Sequence, residues 1–251
     1  MNIQTAILRE ESEFPKRFAA WEETEYGLLF YMDDNHDSYD GNHAFLFPEN
    51  ITDLGAVLDD IRGFYLRRGI TPVIYHPHQQ DYFNLHKETL AQHGFSFTPE
   101  EPHRVMILSA ENRIQTDKRL DIRLLTEWDE RIAADILLPG GEPWEIAPAK
   151  QMMKAPGSFL YAGYLGETAM VYTNIHSSPY GNTRFDYIVT AKAHRGMGYA
   201  SELLSFVVDD CKRKELPVCW QWAGPSEHIT YRAGFRESFS IPAGYAKFDA
   251  H

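Results

Sequence analysis

A short glycine loop between a predicted strand and a predicted helix constrains this 251-residue sequence more than any other feature. The aromatic and β-branched stretch from Tyr187 to Thr190 predicts a strand. After the glycines, apolar residues recur at i, i+3 and i+4 spacing, which predicts an amphipathic helix over 200–211. Glycines let the backbone approach a ligand, and the free N–H groups of a first helical turn attract anions. The order strand, glycine loop, helix therefore predicts an anion-binding site.

Two common nucleotide-binding patterns do not fit this loop. A P-loop needs Lys-Ser or Lys-Thr after the glycines, and the sequence has neither there. The dinucleotide fingerprint needs a third glycine at a fixed spacing, which is also missing. An α/β domain that binds some other phosphate compound stays open as one interpretation.

The spacing Arg195-x-x-Gly198-x-Ala200 instead resembles the acyl-CoA pyrophosphate loop of the GNAT N-acetyltransferase superfamily. A second similarity follows further along the chain, where a predicted strand and a short helix lead to Gly234-Phe235. The resemblance covers roughly residues 119–250. It implies an α/β (α+β) domain in which a mixed, mostly antiparallel sheet is flanked by helices.

The first part of the sequence repeats the order of the second. A shift of 145 positions places Pro72 on Pro217, and with about five extra residues in the first copy Gly94-Phe95 meets Gly234-Phe235. We therefore predict two tandem GNAT-like domains at 1–110 and 119–251, joined by a polar linker at 111–118.

The predicted first copy lacks the glycine loop. The same shift places Asp53 where the second copy has Gly198, and Asn50 where it has Arg195. A carboxylate at this place would repel a pyrophosphate, although Asp53 could equally be a helix cap. Either role predicts a degenerate N-terminal copy that binds no CoA and that could shape the acceptor site.

The resemblance assigns acetyl-CoA as the acyl donor, with no metal, and assigns its binding mainly to backbone amides. Arg195 would add a charge-assisted contact to the pyrophosphate. The amides for the pantetheine are those of Ile188, Val189 and Thr190, and those for the pyrophosphate are Gly196, Met197, Gly198, Tyr199 and Ala200.

The catalytic residues depart from the family pattern. The frequent glutamate of the strand falls near Asn182, so Asp186 is the nearest carboxylate. Strand alternation places Arg184 and Ile188 on the same face as Asp186, so an ion pair with Arg184 explains this residue equally well. Tyr231 and Ser226 are the candidate proton donors, with water as the alternative.

Two residues of the loop between the first helices of the second copy are candidates for contacts with the acceptor. Glu142 lies where that loop reaches the acceptor in the family, and Trp144 would supply an aromatic surface. The formal net charge of −12 opposes binding to nucleic acid or to an anionic membrane, and it suits a cationic amine. Because the sequence shows no apolar signal segment or membrane span, we expect a cytoplasmic protein.

The sequence therefore predicts an acetyl-CoA-dependent N-acetyltransferase for a primary amine, with a small molecule favoured as the acceptor. A protein N-terminal or lysine acetyltransferase and a non-catalytic acyl-CoA-binding or regulatory module are the alternatives. The aromatic content leaves a homodimer open.

Overall fold

The computed structural model describes residues 2–224 and 227–249. This part of the chain divides into two compact units, and neither is one continuous segment. The C-terminal unit comprises Arg104–Phe239 with the segment up to Glu10, and the N-terminal unit comprises Glu11–His103 with the segment from Ser240 onward. The predicted domains at 1–110 and 119–251 follow chain order and stay a prediction, whereas each of these units combines separate segments of the chain.

The chain opens with helix α1 (Ile3–Glu13), which begins in the C-terminal unit and ends in the N-terminal unit. Short strands and helices then follow in the N-terminal unit. They are β1 (Ala20–Thr24), β2 (Gly27–Tyr31), β3 (Ala44–Leu46), α2 (Leu54–Leu66), β4 (Val73–Tyr75), α3 (Tyr82–Leu85), α4 (Lys87–Gln92) and the long strand β5 (Phe95–Leu108).

The C-terminal unit has the order expected from the resemblance: a strand, two helical segments, three strands, then helix, strand, helix and strand. A π-helical segment (Ile132–Leu137) leads directly into the short helix α5. The elements are β6 (Asp121–Leu125), α5 (Leu138–Gly140), α6 (Ile146–Met152), β7 (Ser158–Leu165), β8 (Thr168–Ser177), β9 (Thr183–Thr190), α7 (Tyr199–Arg213), β10 (Cys219–Trp222), α8 (Glu227–Ala233) and β11 (Phe235–Phe248).

Each unit is built on a mixed sheet that is mostly antiparallel. In the C-terminal unit the order of strands is β11-β5-β10-β9-β8-β7-β6, and β9 with β10 is a parallel pair. In the N-terminal unit the order is β1-β2-β3-β4-β11-β5, and β3 with β4 is parallel. The predicted fold class is thus confirmed.

Strands β5 and β11 belong to both units. Each runs for 14 residues, and the unit boundaries fall at 103/104 in β5 and at 239/240 in β11. The end of β5 pairs with β10, through Ile107 and Trp220, while the end of β11 pairs with β4, through Ala246 and Ile74. The final strand of each sequence copy therefore completes a sheet made mainly by the other copy.

Two apolar layers lie on opposite faces of the C-terminal sheet. On the α7 face, Leu203 and Val207 pack with Val171, Ile175 and Phe185 of the strands. On the other face, here called the α6 face, Ile132, Ile136 and Ile146 of the helical segments pack with Leu160 and Tyr172. The buried stripe of α7 confirms the helix that the apolar spacing predicts.

Helix α1 is the main element that the sequence analysis missed. After α1 the chain forms a 3-10 turn at Phe14–Arg17 and then strand β1. The buried positions of α1 include the charged Glu10, so its apolar pattern is weak. Ile7 nevertheless packs against Val105 and Trp220 within the C-terminal unit, and this tertiary contact accounts for the helix. Within the described part of the chain, no helix has the length and apolar character needed to cross a membrane.

Candidate functional site

Strands β9 and β10 diverge after a short parallel contact. Their pairing joins Thr183 to Cys219 and Arg184 to Trp220. Beyond these pairs β9 follows β8 as far as Thr190, whereas β10 follows β5. The β9 residues 186–190 are partly exposed, unlike those at 183–185. The divergence leaves an open edge of β9 at the place where the sequence predicts the acyl-CoA.

The glycine loop continues from this open edge to the start of α7. Gly196 and Gly198 have φ values of 82° and 85°, a left-handed conformation that glycine adopts without a steric penalty. A Cβ on Gly196 would meet no heavy atom of the described residues within 4 Å, so the space beside the loop is open. Gly198 is the N-cap of α7 and has no side chain to satisfy the first N–H groups. Those groups and the positive end of the helix dipole are therefore available to an anion.

Helix α2, which the sequence comparison places opposite α7, has a side-chain cap at its start. Asp53 is the N-cap of α2, and its Oδ1 accepts a hydrogen bond of 3.1 Å from the amide nitrogen of Ala56. Asp53 has an extended backbone with φ of −134°, in contrast to the left-handed Gly198. The capping role weighed for Asp53 is confirmed, and its carboxylate already takes the place of a bound anion.

Two arginines lie on the loop. Arg195, which the sequence predicts, directs its Nε to the carbonyl of Thr190 at 3.3 Å. Arg119, which it does not, donates from Nη2 to the carbonyl of Met197, and its guanidinium lies 4.9 Å from the centre of the Tyr199 ring. Because Arg119 is far from the motif in sequence, only the folded chain shows that it belongs to this loop.

Asp186 lies at a β-bulge in β9 and forms an ion pair. Thr173 pairs with Ile188 and Ile175 pairs with Phe185, so two residues of β9 stand opposite the single Asn174 of β8. Arg184 Nη2 is 3.3 Å from Asp186 Oδ1, and both side chains are 8% exposed. The alternative role weighed for Asp186 is therefore present in the structure.

The bulge also corrects an expectation from strand alternation, which placed Ile188 on the same face as Asp186 and Arg184. Phe185 and Ile188 both pack on the α7 face. Tyr187 packs on the α6 face. One extra residue in β9 shifts the alternation, so the expectation for Ile188 is wrong.

The α6 face beside the bulge is acidic and aromatic. The hydroxyls of Tyr172 and Tyr187 are 3.3 Å apart. The pKa of Tyr172 is raised well above its ordinary value, first by burial and then by the negative charges of Glu145, Asp186 and Glu142. The predicted Glu142 is thus within electrostatic range of this face, and Glu145, which the sequence analysis did not single out, is buried there. Trp144 is partly buried in the same turn, Pro143–Glu145.

The candidate proton donors are not brought to the bulge by any described contact. Tyr231 is 37% exposed on α8, where the guanidinium of Arg236 lies 5.8 Å from its ring centre. The preceding residue, Thr230, is buried and accepts a hydrogen bond of 2.9 Å from Gln221 Nε2. Ser226 lies outside the described residues. Over residues 2–224 and 227–249, no group of three His, Cys, Asp or Glu side chains could hold a metal ion.

The geometry of loop, bulge and diverging strands agrees with a comparison of sequences. Residues 125–235 match the acetyltransferase (GNAT) family. This region of the chain is a GNAT domain. The matched region includes strands β7 to β10, the glycine loop, and helices α7 and α8. A search of curated proteins finds no match.

Solved structures extend the likeness in fold to the whole chain. A GCN5-related N-acetyltransferase from Kribbella flavida is similar over 100% of this chain and 97% of its own, with a TM-score of 0.67 and 13% identity. A conserved protein of unknown function from Staphylococcus epidermidis ATCC 12228 covers 93% of this chain and 96% of its own, with a TM-score of 0.62 and 14% identity. A tandem GNAT protein from the clavulanic acid biosynthesis pathway covers 83% of this chain and 76% of its own, at 12% identity and a TM-score of 0.56. At these identities the likeness concerns the fold alone.

Proposed function

We propose that this protein is an acetyl-CoA-dependent N-acetyltransferase that acts on a primary amine of a small molecule. The observation that carries the proposal is the start of α7, where two left-handed glycines precede a helix with no side-chain cap, beside the diverging edge of β9. This arrangement lies inside the GNAT domain. It supports an acyl donor with a phosphate group at the helix and a thioester between the strands.

The acyl donor would be held mainly by backbone groups. We assign the pyrophosphate to the N–H groups of Gly196 to Ala200, because the space beside Gly196 is open and the start of α7 has no side-chain cap. Arg195 and Arg119 add positive charge at the loop. The exposed edge of β9 from Ile188 to Thr190 suits the amides of the pantetheine.

In the proposed reaction the amine attacks the thioester directly, so side chains form no covalent bond with the substrates. A neutral amine attacks the thioester carbonyl, the C–N bond forms, the C–S bond breaks, and the CoA thiolate leaves with a proton. Holding the two reactants in a reactive geometry can contribute about 7–11 kcal/mol to lowering the barrier. Asp186 is paired with Arg184, and we assign this carboxylate to attracting the ammonium of the acceptor. Tyr231, Ser226 and water stay the candidate donors to the leaving thiolate.

One observation favours a second function, an acyl-CoA-binding module without turnover. Tyr231 is at the surface and the neighbouring Thr230 hydroxyl is engaged by Gln221. A protein of this kind would bind acetyl-CoA and release no thiol with any amine.

Isothermal titration of acetyl-CoA into the wild type, Gly198→Asp and Gly198→Ala tests the donor site. Both substitutions add a side chain at a φ of 85°, so both have the backbone strain, and only aspartate adds a carboxylate at the helix start. We expect Gly198→Asp to abolish binding and Gly198→Ala to retain part of it. Equal binding in all three proteins would refute the loop as the donor site. Thiol release with a panel of amines then separates an enzyme from a binding module.

A further inference from the structure

A buried glutamate lies in the first turn of α7, next to the glycine loop. Glu202 is 4% exposed, and its Oε1 accepts a hydrogen bond of 2.7 Å from the amide nitrogen of Leu120. Its Oε2 is buried and has no partner among the described residues. By charge alone, a carboxylate near the start of a helix opposes the binding of an anion there. The place of Glu202 beside the proposed pyrophosphate site therefore calls for another explanation, and the hydrogen bond from Leu120 supplies one.

Leu120 is fixed at the point where the chain enters β6. Its amide precedes the ladder of β6 with β7, which begins with Asp121 opposite Tyr164, so Glu202 provides the acceptor for this N–H. The side chain of Leu120 packs in the apolar layer on the α7 face. Its Cδ1 lies 2.9 Å from the place that a Cβ on Gly163 would take. Leu120 is thus held through both its backbone and its side chain.

The residue before Leu120 is the arginine that contacts the glycine loop. Arg119 donates from Nη2 to the carbonyl of Met197, and its guanidinium lies 4.9 Å from the centre of the Tyr199 ring. The side chain of Arg119 is 41% exposed. A long, exposed side chain loses conformational entropy when it is held in one place. The hydrogen bond at Leu120 lowers this cost, because it sets the backbone next to Arg119 in place against α7.

We infer that Glu202 is a positioning residue of the donor site and gives the site a preference for a donor that carries a pyrophosphate. Glu202 holds Leu120 against α7, and this holds the guanidinium of Arg119 at the loop, where it meets the pyrophosphate of acetyl-CoA. The inference rests on the proposed function and names the part of the donor that is recognised. S-acetyl-pantetheine has the same thioester without the pyrophosphate, so it gains nothing from this arrangement.

Calorimetric titrations of acetyl-CoA and of S-acetyl-pantetheine into the full chain test the inference. Glu202→Met keeps a similar volume without an acceptor oxygen. We expect this variant to bind acetyl-CoA about tenfold more weakly than the wild type, the size of one hydrogen bond to a charged group. It should bind S-acetyl-pantetheine as the wild type does. Glu202→Gln keeps Oε1 and removes the charge, so it should bind acetyl-CoA at least as tightly as the wild type.

A double variant and a control separate positioning from a general loss of stability. If Glu202 acts through Arg119, Glu202→Met combined with Arg119→Gln should weaken acetyl-CoA binding by about tenfold, whereas independent effects would multiply to about 100-fold. Asp210→Met removes another carboxylate of α7, which is 8% exposed and accepts from the Tyr161 hydroxyl. This control should lower the stability of the domain and leave its affinity for acetyl-CoA unchanged.

Several results would overturn the inference while the proposed function stands. One is unchanged acetyl-CoA binding by Glu202→Met, and another is an equal loss of affinity for both donors in that variant. Independent effects in the double variant would also contradict it. Weaker acetyl-CoA binding by Glu202→Gln would do so as well, and this measurement decides the matter if Glu202→Met does not fold. A wild type that binds no acetyl-CoA refutes the proposed function, and the inference with it.

Discussion

Gly198 and the neighbouring Arg119 show how the candidate site depends on single residues. The left-handed backbone of Gly198 has Arg119 Nη2 only 3.4 Å from where a Cβ would stand. The sequence predicts the glycine, because a loop between a strand and a helix has a recognisable local pattern. It does not predict Arg119, because the contact joins residues 78 positions apart. The sequence therefore predicts the glycine loop but not the distant Arg119 that contacts it.

The first prediction concerns this arginine. Arg119→Gln should weaken acetyl-CoA binding by about tenfold, because one hydrogen bond to a charged group contributes about 1.5–3 kcal/mol. Isothermal titration measures the change. Arg123→Gln removes an equally charged residue that pairs with Asp121 instead, and it should bind acetyl-CoA as the wild type does. An equal loss in both variants would count against a specific role for Arg119.

A second residue-scale prediction concerns the buried ion pair at the bulge. Asp186→Asn removes the negative charge of a buried ion pair while Arg184 keeps its positive charge, so we expect the free energy of unfolding to fall by about 3–5 kcal/mol. Urea denaturation measures this value. Asp186→Asn combined with Arg184→Gln removes both charges and should recover part of the loss. If the single variant is as stable as the wild type, the pair has no structural role.

Among the helices and strands, α7 is predicted correctly from the spacing of its apolar residues, because these residues form a continuous face that covers the sheet. Two other features could not be obtained in this way. The bulge in β9 depends on how β8 pairs with it, and alternation within one strand carries no information about its partner. Helix α1 has a polar, irregular pattern, and packing of Ile7 on Val105 and Trp220 stabilises it. Elements that depend on tertiary contacts are the ones that the sequence does not predict.

The start of α2 supplies a prediction at this scale. Asp53→Ala removes the carboxylate that accepts from the amide of Ala56, and we expect the free energy of unfolding to fall by about 1 kcal/mol. The variant should still bind acetyl-CoA as the wild type does, because the donor loop lies in the other copy. Glu49→Ala, at an exposed position before the helix, is the control and should leave the stability unchanged. A stability of Asp53→Ala equal to that of the control would contradict the capping role.

The whole molecule responds to pH through its buried histidines. Burial lowers the pKa of His43 to about 3, and burial with the nearby His76 and His103 lowers the pKa of His78 to about 4. Both rings are neutral in the folded chain and take up protons on unfolding below about pH 6.5. Their contribution to stability is therefore complete above that pH and is lost as the pH falls toward 4.

From pH 7.5 to pH 5 we expect the free energy of unfolding to fall by about 2 kcal/mol for His43 and by a similar amount for His78. Urea denaturation at the two pH values measures the change. His43→Phe keeps a flat ring against Tyr75, whose ring centre lies 3.9 Å from that of His43, and it should reduce the pH dependence. The same stability at both pH values in the wild type would contradict this account.

The strands shared by the two units lead to a prediction about fragments. Residues 1–110 alone lack the end of β11 that pairs with β4, and residues 119–251 alone lack the end of β5 that pairs with β10. Each fragment loses a strand from within its sheet, so we expect neither to give a cooperative unfolding transition. Co-expression of the two fragments should restore one, as circular dichroism can show. A fragment 119–251 that folds alone would mean that the strand of the other copy is dispensable.

The pairing of β4 with β11 and of β10 with β5 also bears on how such a chain can change over generations. A segment that contributes nothing to a binding site can normally be lost without harm to the rest of the chain. Here a deletion of the first copy would also remove the strand on which the second copy closes its sheet. We therefore expect the two halves of the chain to be inherited together, because loss of the first half would take an internal strand from the sheet of the GNAT domain.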